Sequence, residues 1–177
     1  FDATRWTLVR AAAGTDTPAA RAALSTLYQT YWYPLYAYAR RKGYRPADAE
    51  DLTQGYFARL LQLESLADVS RDKGRFRSFL LAGLNHFIAD AWDRASAGKR
   101  DVRRTVSLDT QEAETRYQRE PVEHETPEHL FERKWALALL ATVVQRLQRE
   151  QEAAGKGPLF MALRFTLTGD RHAVPYA

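Results

Sequence analysis

Three side chains that commonly bind metal ions recur at helical spacing near the middle of the chain. His86, Asp90 and Asp93 stand at positions i, i+4 and i+7, so one helical face could direct all three toward one ion. No HExxH motif or second His pair accompanies them, and the chain has only 4 His and no Cys. A nucleophile elbow and a glycine-rich phosphate loop are also missing from the sequence. The sequence therefore predicts no metal site, no cofactor and no enzymatic activity.

Composition places the chain among ordinary globular proteins. It has 177 residues, of which 45% are hydrophobic and 27% charged, enough for one domain or one domain with an appendage. The lack of Cys excludes a disulfide framework and suits a reducing compartment. No apolar window is long enough to span a membrane, and the first ten residues lack a signal-peptide pattern. We expect a cytoplasmic protein with no membrane partner.

Charge is distributed unevenly although the net charge is only +4. Residues 71–104 contain nine Lys or Arg and four Asp, whereas residues 105–133 contain eight acidic residues and three Arg. A basic stretch followed by an acidic one indicates a polyanion-binding surface and a separate solvated tether. A solvated helix face and an ordinary linker would give the same pattern, so charge alone leaves both interpretations open.

Helical patterns dominate, and strand patterns are nearly absent. The fold class predicted is all-α, with helices at about 4–13, 17–42, 46–63, 75–98, 127–153 and 158–168. We expect Pro34 to kink or split the second helix, since proline removes a hydrogen bond. The apolar residues between Trp135 and Leu147 cover so wide an arc that we expect two neighbours around that helix. The predicted domains are 1–104, a polar linker 105–126 with at most a short helix, and a helical extension 127–177.

Two helices present polar faces that could bind a partner. The helix beginning at Pro46 has an apolar face, which we expect to be its core face (Leu52, Tyr56, Phe57, Leu60 and Leu61). Its opposite arc could dock a basic partner or could simply be solvated (Asp48, Asp51, Gln54, Gly55, Ala58, Arg59 and Gln62). The helix beginning near Arg75 carries small residues beside Asn85, His86 and Trp92, between a basic loop and a basic end. Such a surface suits nucleic acid, because phosphates need cations and bases can stack on aromatic rings.

Two motifs at a matching separation resemble region two of bacterial sigma factors of the extracytoplasmic-function type. They are the acidic run DAEDLTQ, which begins at Asp48, and FRSFLLAGLNHFIAD, which begins at Phe76. The resemblance covers about residues 20–105. It extends loosely to the segments TRWTLV and TPEHLFERKWALALL, which resemble those of a kinase-associated subgroup. It implies a transcription initiation factor whose partners are core RNA polymerase and promoter DNA, with no cofactor.

The resemblance assigns roles to individual positions. The docking strip for the clamp helices of the polymerase β′ subunit matches Glu50, Asp51 and Gln54, and the same helix face adds the remaining docking candidates (Asp48, Gly55 and Arg59). The loop from Ser70 to Arg75 matches the loop that captures a flipped base of the minus-ten element. Together with the basic and aromatic positions of the following helix, it gives the candidate DNA-binding set (Ser70, Arg71, Lys73, Arg75, Arg77, Asn85, His86, Trp92, Arg94, Lys99 and Arg100).

The chain departs from the family pattern at three places. Gly55 stands where the family usually has Glu, and Thr53 replaces a usual Val. Phosphorylation of Thr53 by a Ser/Thr kinase could supply the missing negative charge, although its hydroxyl could instead bond back to the carbonyl of Ala49. Third, the sequence stops at Val174–Ala177, which resembles the start of region four, so we expect the reader of the minus-thirty-five element to be missing.

A different class of function remains open at this point. The helical extension could bind a regulator in a protein–protein interaction module that has no DNA recognition of its own. The salt dependence of binding distinguishes the two functions, because a DNA binder loses affinity steeply as the salt concentration rises and a protein adapter does not.

Overall fold

The computed structural model describes residues 6–12, 17–62, 75–96, 108–119 and 125–168. These residues form seven helices and no strand, which confirms the all-α prediction. The helices are α1 (Trp6–Ala12), α2 (Pro18–Arg41), α3 (Pro46–Gln62), α4 (Phe76–Ser96), α5 (Leu108–Gln118), α6 (Pro127–Ala153) and α7 (Gly157–Thr168).

Local signals in the sequence set the helix ends. The Oγ1 atom of Thr17 accepts a hydrogen bond from the backbone N–H of Ala20 at 3.1 Å, which caps α2, and Pro18 follows at the first helical position. Gly43, with φ of 96°, reverses the chain after α2. Thr126 caps α6 in the same way, through the N–H of His129 at 3.2 Å. Pro34 does not split α2, which is continuous for 24 residues.

The centre of α2 is covered on every side. Leu35 to Ala39 are five successive residues that are each at most 1% exposed. Since successive helical residues are rotated by about 100°, five buried in a row require neighbours all around the helix. On one side lies α1, whose Val9 and Ala12 are buried, and α3 packs on another side.

The pair α3 and α4 is held at close range by two glycines. A Cβ atom on Gly55 of α3 would lie 3.0 Å from Cζ of Phe87, and a Cβ on Gly83 of α4 would overlap the hydroxyl of Tyr56. Each glycine thus receives an aromatic ring from the other helix. The buried face of α3 consists of Ala49, Thr53, Tyr56 and Leu60, together with Glu50 beside it.

This buried face is rotated relative to the face that the sequence predicts. Tyr56 and Leu60 are buried as predicted, but Leu52 and Phe57 are only half-buried. The rotation follows from the small residues Ala49 and Thr53, which let α3 approach its neighbours on that side. Leu61 carries a side chain outside the described set. On α4, Phe76, Leu80, Leu84 and Ile88 are buried.

Helix α5 lies in the range 105–126, for which the sequence predicts a polar linker with at most a short helix. Eleven residues of the range 105–126 are helical, and Ala113 is buried in the same cluster as Tyr36 and Leu130. Glu114 receives two hydrogen bonds from Arg40 of α2, both at 2.7 Å, and a third at 2.7 Å from the hydroxyl of Tyr36. The compact unit that contains α2 therefore extends as far as Trp135, beyond the predicted boundary at 104.

A second compact unit begins at Ala136 and contains the rest of α6 and α7. Its buried apolar side chains are Val144 and Phe160. Several large apolar side chains of this unit are about half exposed (Leu137, Leu140, Val143, Leu159, Met161 and Leu163). The prediction that the wide apolar arc of α6 lies between two neighbours is thus wrong for Leu137, Leu140 and Val143, which are 44–54% exposed.

Gly83→Ala tests the close approach of α3 and α4. The added methyl group must displace the ring of Tyr56, which is 3% exposed, so we expect a loss of about 1–3 kcal/mol in urea unfolding. Among the described residues the Tyr56 hydroxyl has no hydrogen-bond partner. Tyr56→Phe should therefore cost little by itself and should recover part of the loss in the double variant. Unchanged stability in Gly83→Ala would contradict this packing.

Glu114→Gln tests the attachment of α5. The Arg40 guanidinium lowers the pKa of Glu114, and both side chains are less than a fifth exposed. Because the carboxyl is more acidic in the folded chain, its contribution is complete at neutral pH and is lost as the pH falls through the lowered pKa. We expect the variant to lose about 2–3 kcal/mol at pH 7 and the difference from wild type to shrink in acid. Glu112→Gln, at an exposed position on the same helix, is the control and should change neither.

Candidate functional site

The outer face of α3 carries the polar residues that the sequence assigns to docking. Gln54 and Ala58 are exposed, while Asp48 and Asp51 are half-buried. We name these four residues the α3 strip. The Asp48 carboxylate accepts a hydrogen bond from Nε of Arg45 at 3.2 Å, in a pair that is exposed to solvent. Because such an exposed pair contributes little to stability, Asp48 can exchange Arg45 for another basic partner at little cost.

Glu50 does not belong to this outer face. It is 7% exposed, and its Oε1 atom accepts a hydrogen bond from Nε2 of Gln54 at 2.9 Å. The residue lies next to fully buried Ala49 and one turn before Thr53, at the edge of the core-facing side. The prediction that Glu50 is a docking contact on the surface is therefore corrected: it orients Gln54 from beneath the strip.

Arg59 bridges two helices. Its Nη1 atom donates to Oδ2 of Asp90 on α4 at 2.7 Å, and its guanidinium lies 5.9 Å from the ring centre of Phe87. Both partners of this ion pair are about half exposed. Arg59 thus links α3 to α4 while part of its side chain still faces solvent.

Gly55 has a packing role that the sequence did not reveal. The missing side chain leaves room for the ring of Phe87, 3.0 Å from where a Cβ would stand. A Glu at this position would have to displace that ring. The departure from the family pattern therefore reflects the aromatic contact between α3 and α4, besides the loss of a charge.

Thr53 is completely buried. Its hydroxyl donates to the backbone carbonyl of Ala49 at 2.7 Å, which is the alternative that the sequence left open. A kinase cannot reach this oxygen while α3 is packed, and a phosphate group would find no space there. Phosphorylation at Thr53 would require α3 to leave the core.

The outer face of α4 is lined by small residues, as the sequence predicts. Ser78, Ala82, His86 and Ala89 are exposed, and Asn85 is half-buried between them. We name these five residues the α4 strip. Arg75, immediately before the helix, is also exposed. The strip offers an open backbone surface with one amide and one imidazole, a combination suited to the edges of bases.

Arg77 corrects the DNA-binding set. Its guanidinium lies 4.4 Å from the ring centre of Trp135, and its Nε atom is 2.6 Å from the carboxylate of Glu132 on α6. Only 10% of its side chain is exposed. This cation attaches α6 to α4 and is not available to a DNA phosphate. No sequence pattern indicates this pairing, because Glu132 and Trp135 both stand more than 50 residues from Arg77.

Most other members of the DNA-binding set lie outside the described residues, namely Ser70, Arg71, Lys73, Lys99 and Arg100. Trp92 and Arg94 belong to α4, but their side chains are not among those described. Their assigned roles stay predictions.

Tyr38 of α2 and Lys42, which directly follows α2, adjoin the α4 strip without having been predicted. The Tyr38 hydroxyl donates to Oδ1 of Asn85 at 2.9 Å, and the same oxygen accepts a hydrogen bond from Nζ of Lys42 at 3.0 Å. The basic end of α2, ARRKG, is the only sequence signal that could have indicated them.

Within the described ranges no three His, Asp or Glu side chains converge as metal ligands. Asp90, one of the three candidates, is paired with Arg59. Nor does any helix of the described part have the length and apolarity to cross a membrane.

Residues 27–97 match the family model for Sigma-70 region 2. No curated protein and no solved structure matches the chain. The matched segment begins within α2 and ends just after α4, so it contains both the α3 strip and the α4 strip. This match covers less than half of the chain, and it shows that the segment containing most of α2 and all of α3 and α4 is similar to Sigma-70 region 2.

Proposed function

We propose that the chain is a transcription initiation factor of the extracytoplasmic-function type. In this proposal the α3 strip docks on the clamp helices of the polymerase β′ subunit, and the α4 strip contacts the melted minus-ten element of the promoter. The observation that carries it is that the segment matching Sigma-70 region 2 contains two helices, each with a polar outer face of exposed and half-buried residues. These partners place the protein in the cytoplasm.

The geometry supports a polymerase-docking role for the α3 strip and a DNA-binding role for the α4 strip. On α3, the acidic residues Asp48 and Asp51 surround small or polar neighbours, which suits a basic helical partner at close range. On α4, small exposed residues let a single strand approach the backbone. The pair Arg59–Asp90 links the two helices.

Phosphorylation of Thr53 is not part of this proposal. The hydroxyl is buried and already bonded to Ala49, and modification would unseat α3 instead of adding charge to its outer face. A kinase that acts on this protein would need another target residue.

One observation favours a second candidate function. The unit that begins at Ala136 exposes Leu137, Leu140 and Val143 on α6, and apolar side chains in such number commonly mark protein contacts. A helical interaction module that uses this unit, without DNA recognition, would explain them.

Binding to bacterial core RNA polymerase distinguishes the two functions. We expect Asp51→Ala/Gln54→Ala to weaken binding at least about tenfold, since both side chains belong to the docking strip. The matched control Glu150→Gln, which changes an exposed acidic residue of α6, should bind like wild type. Circular dichroism must show that every variant is folded.

Two results would contradict the proposal. One is wild-type binding that the strip variant leaves intact but Leu140→Ser abolishes, which would favour the interaction module. The other is a folded wild-type protein that does not bind core polymerase.

A further inference from the structure

A small polar cluster joins α2, α4 and α6 at the edge of the α4 strip. Its members are Tyr38, Lys42, Asn85 and Glu128, and we name it the Tyr38 cluster. The Tyr38 hydroxyl lies 2.9 Å from Oδ1 of Asn85 and 3.3 Å from Oε1 of Glu128. Lys42 donates to the same Asn85 oxygen at 3.0 Å.

The position of the Lys42 ammonium is fixed by two neighbours although the residue is exposed. It lies 5.4 Å from the ring centre of Tyr38, in addition to its hydrogen bond with Asn85. Tyr38 itself is 1% exposed and cannot move without disturbing the core. A surface lysine normally samples many rotamers, so this support presents a cation at a defined place beside the α4 strip.

The amide of Asn85 is oriented by the same contacts. Both Tyr38 and Lys42 donate to it, so the oxygen of the amide must face them. Burial raises the pKa of Tyr38 above its ordinary value, which keeps its hydroxyl protonated and able to donate at neutral pH. A fixed amide beside a fixed cation is the pairing that binds a base edge and the adjacent phosphate of one strand.

The contact between Glu128 and the Tyr38 hydroxyl is weak. Tyr38 has one hydroxyl proton, and the shorter of its two contacts is the one to Asn85. Glu128 is exposed and lies near the start of α6, so its carboxylate can turn away without unseating the helix. The helix is attached by other contacts, namely the ion pair of Glu132 with Arg77 and the burial of Leu130 and Phe131.

We propose that Lys42 and Tyr38 extend the α4 strip into a binding site for single-stranded DNA, and that the carboxylate of Glu128 competes with a DNA phosphate for that site. This inference rests on the proposed function, since it assumes that the α4 strip binds DNA. It adds two residues that the sequence did not predict and an intramolecular competitor from α6. In the free protein, competition from the Glu128 carboxylate then weakens DNA binding.

Fluorescence anisotropy with a short, labelled single-stranded DNA of mixed sequence tests the inference on the full chain. Glu128→Gln should increase affinity about three- to tenfold, because it removes a negative charge that lies 3.3 Å from the Tyr38 hydroxyl, at the edge of the proposed site. Lys42→Gln should weaken binding and lower the slope of log affinity against log salt by about 0.7, the value for one phosphate on a single strand. In the double variant the gain from Glu128→Gln should be largely lost, since the two residues act at one place.

Matched controls separate this site from general charge effects. Arg45→Gln removes an exposed cation three residues from Lys42, and Glu150→Gln removes an exposed carboxylate of α6 outside the cluster. Neither should reproduce the change in affinity, and thermal unfolding should show that all variants are folded. If Glu128 had only a structural role, Glu128→Gln would alter the stability of the fold. It would leave the salt slope of DNA binding unchanged, and Lys42→Gln would have the same effect with or without it.

Each remaining outcome is decisive. Suppose that the protein binds core polymerase, but that Glu128→Gln does not tighten DNA binding or that no variant binds DNA. The inference is then wrong, and the proposed docking function stands. An equal gain from Glu150→Gln would also overturn it. If neither polymerase nor DNA is bound by any folded variant, the proposed function itself fails.

Discussion

The full burial of the middle of α2 is the constraint on which the rest of this unit depends. Five successive residues without solvent exposure require partners on every side of one helix. Two of them are tyrosines, and a buried hydroxyl is costly unless it has a polar partner. Tyr36 therefore bonds to Glu114 of α5, and Tyr38 bonds to Asn85 of α4. The polar contacts between helices follow from the need to satisfy an aromatic core.

These contacts determine which faces remain free. The aromatic rings of Tyr56 and Phe87 enter the space left by Gly83 and Gly55, which brings α3 and α4 close together. Since the glycine and aromatic positions of both helices are used in this packing, the acidic side of α3 and the side of α4 that carries Ser78, Ala82 and Ala89 stay outside. The α3 strip and the α4 strip are thus the faces of these helices that do not pack in the core. Their function, as we propose it, depends on the same packing that buries Thr53.

The sequence predicts the local part of this fold well. Prolines, threonines and glycines mark the ends of α2, α3 and α6, and such signals act within one turn. The strips on α3 and α4 follow from helical periodicity for the same reason. For the polar range 105–126 the sequence predicts at most a short helix. It does not reveal how α5 is attached, because the attachment depends on Arg40, which lies 74 residues before Glu114. The roles of Arg77 and Gly55 were missed similarly, since their neighbours Trp135 and Phe87 come from other helices.

Hydrogen–deuterium exchange of the full chain, with and without bacterial core RNA polymerase, tests the central claim most directly. The claim is that the α3 strip is the docking surface for the polymerase. We predict that polymerase slows exchange in α3, around Asp51 and Gln54, and leaves exchange in α7 unchanged. Protection confined to the unit that begins at Ala136, with α3 unaffected, would contradict the claim.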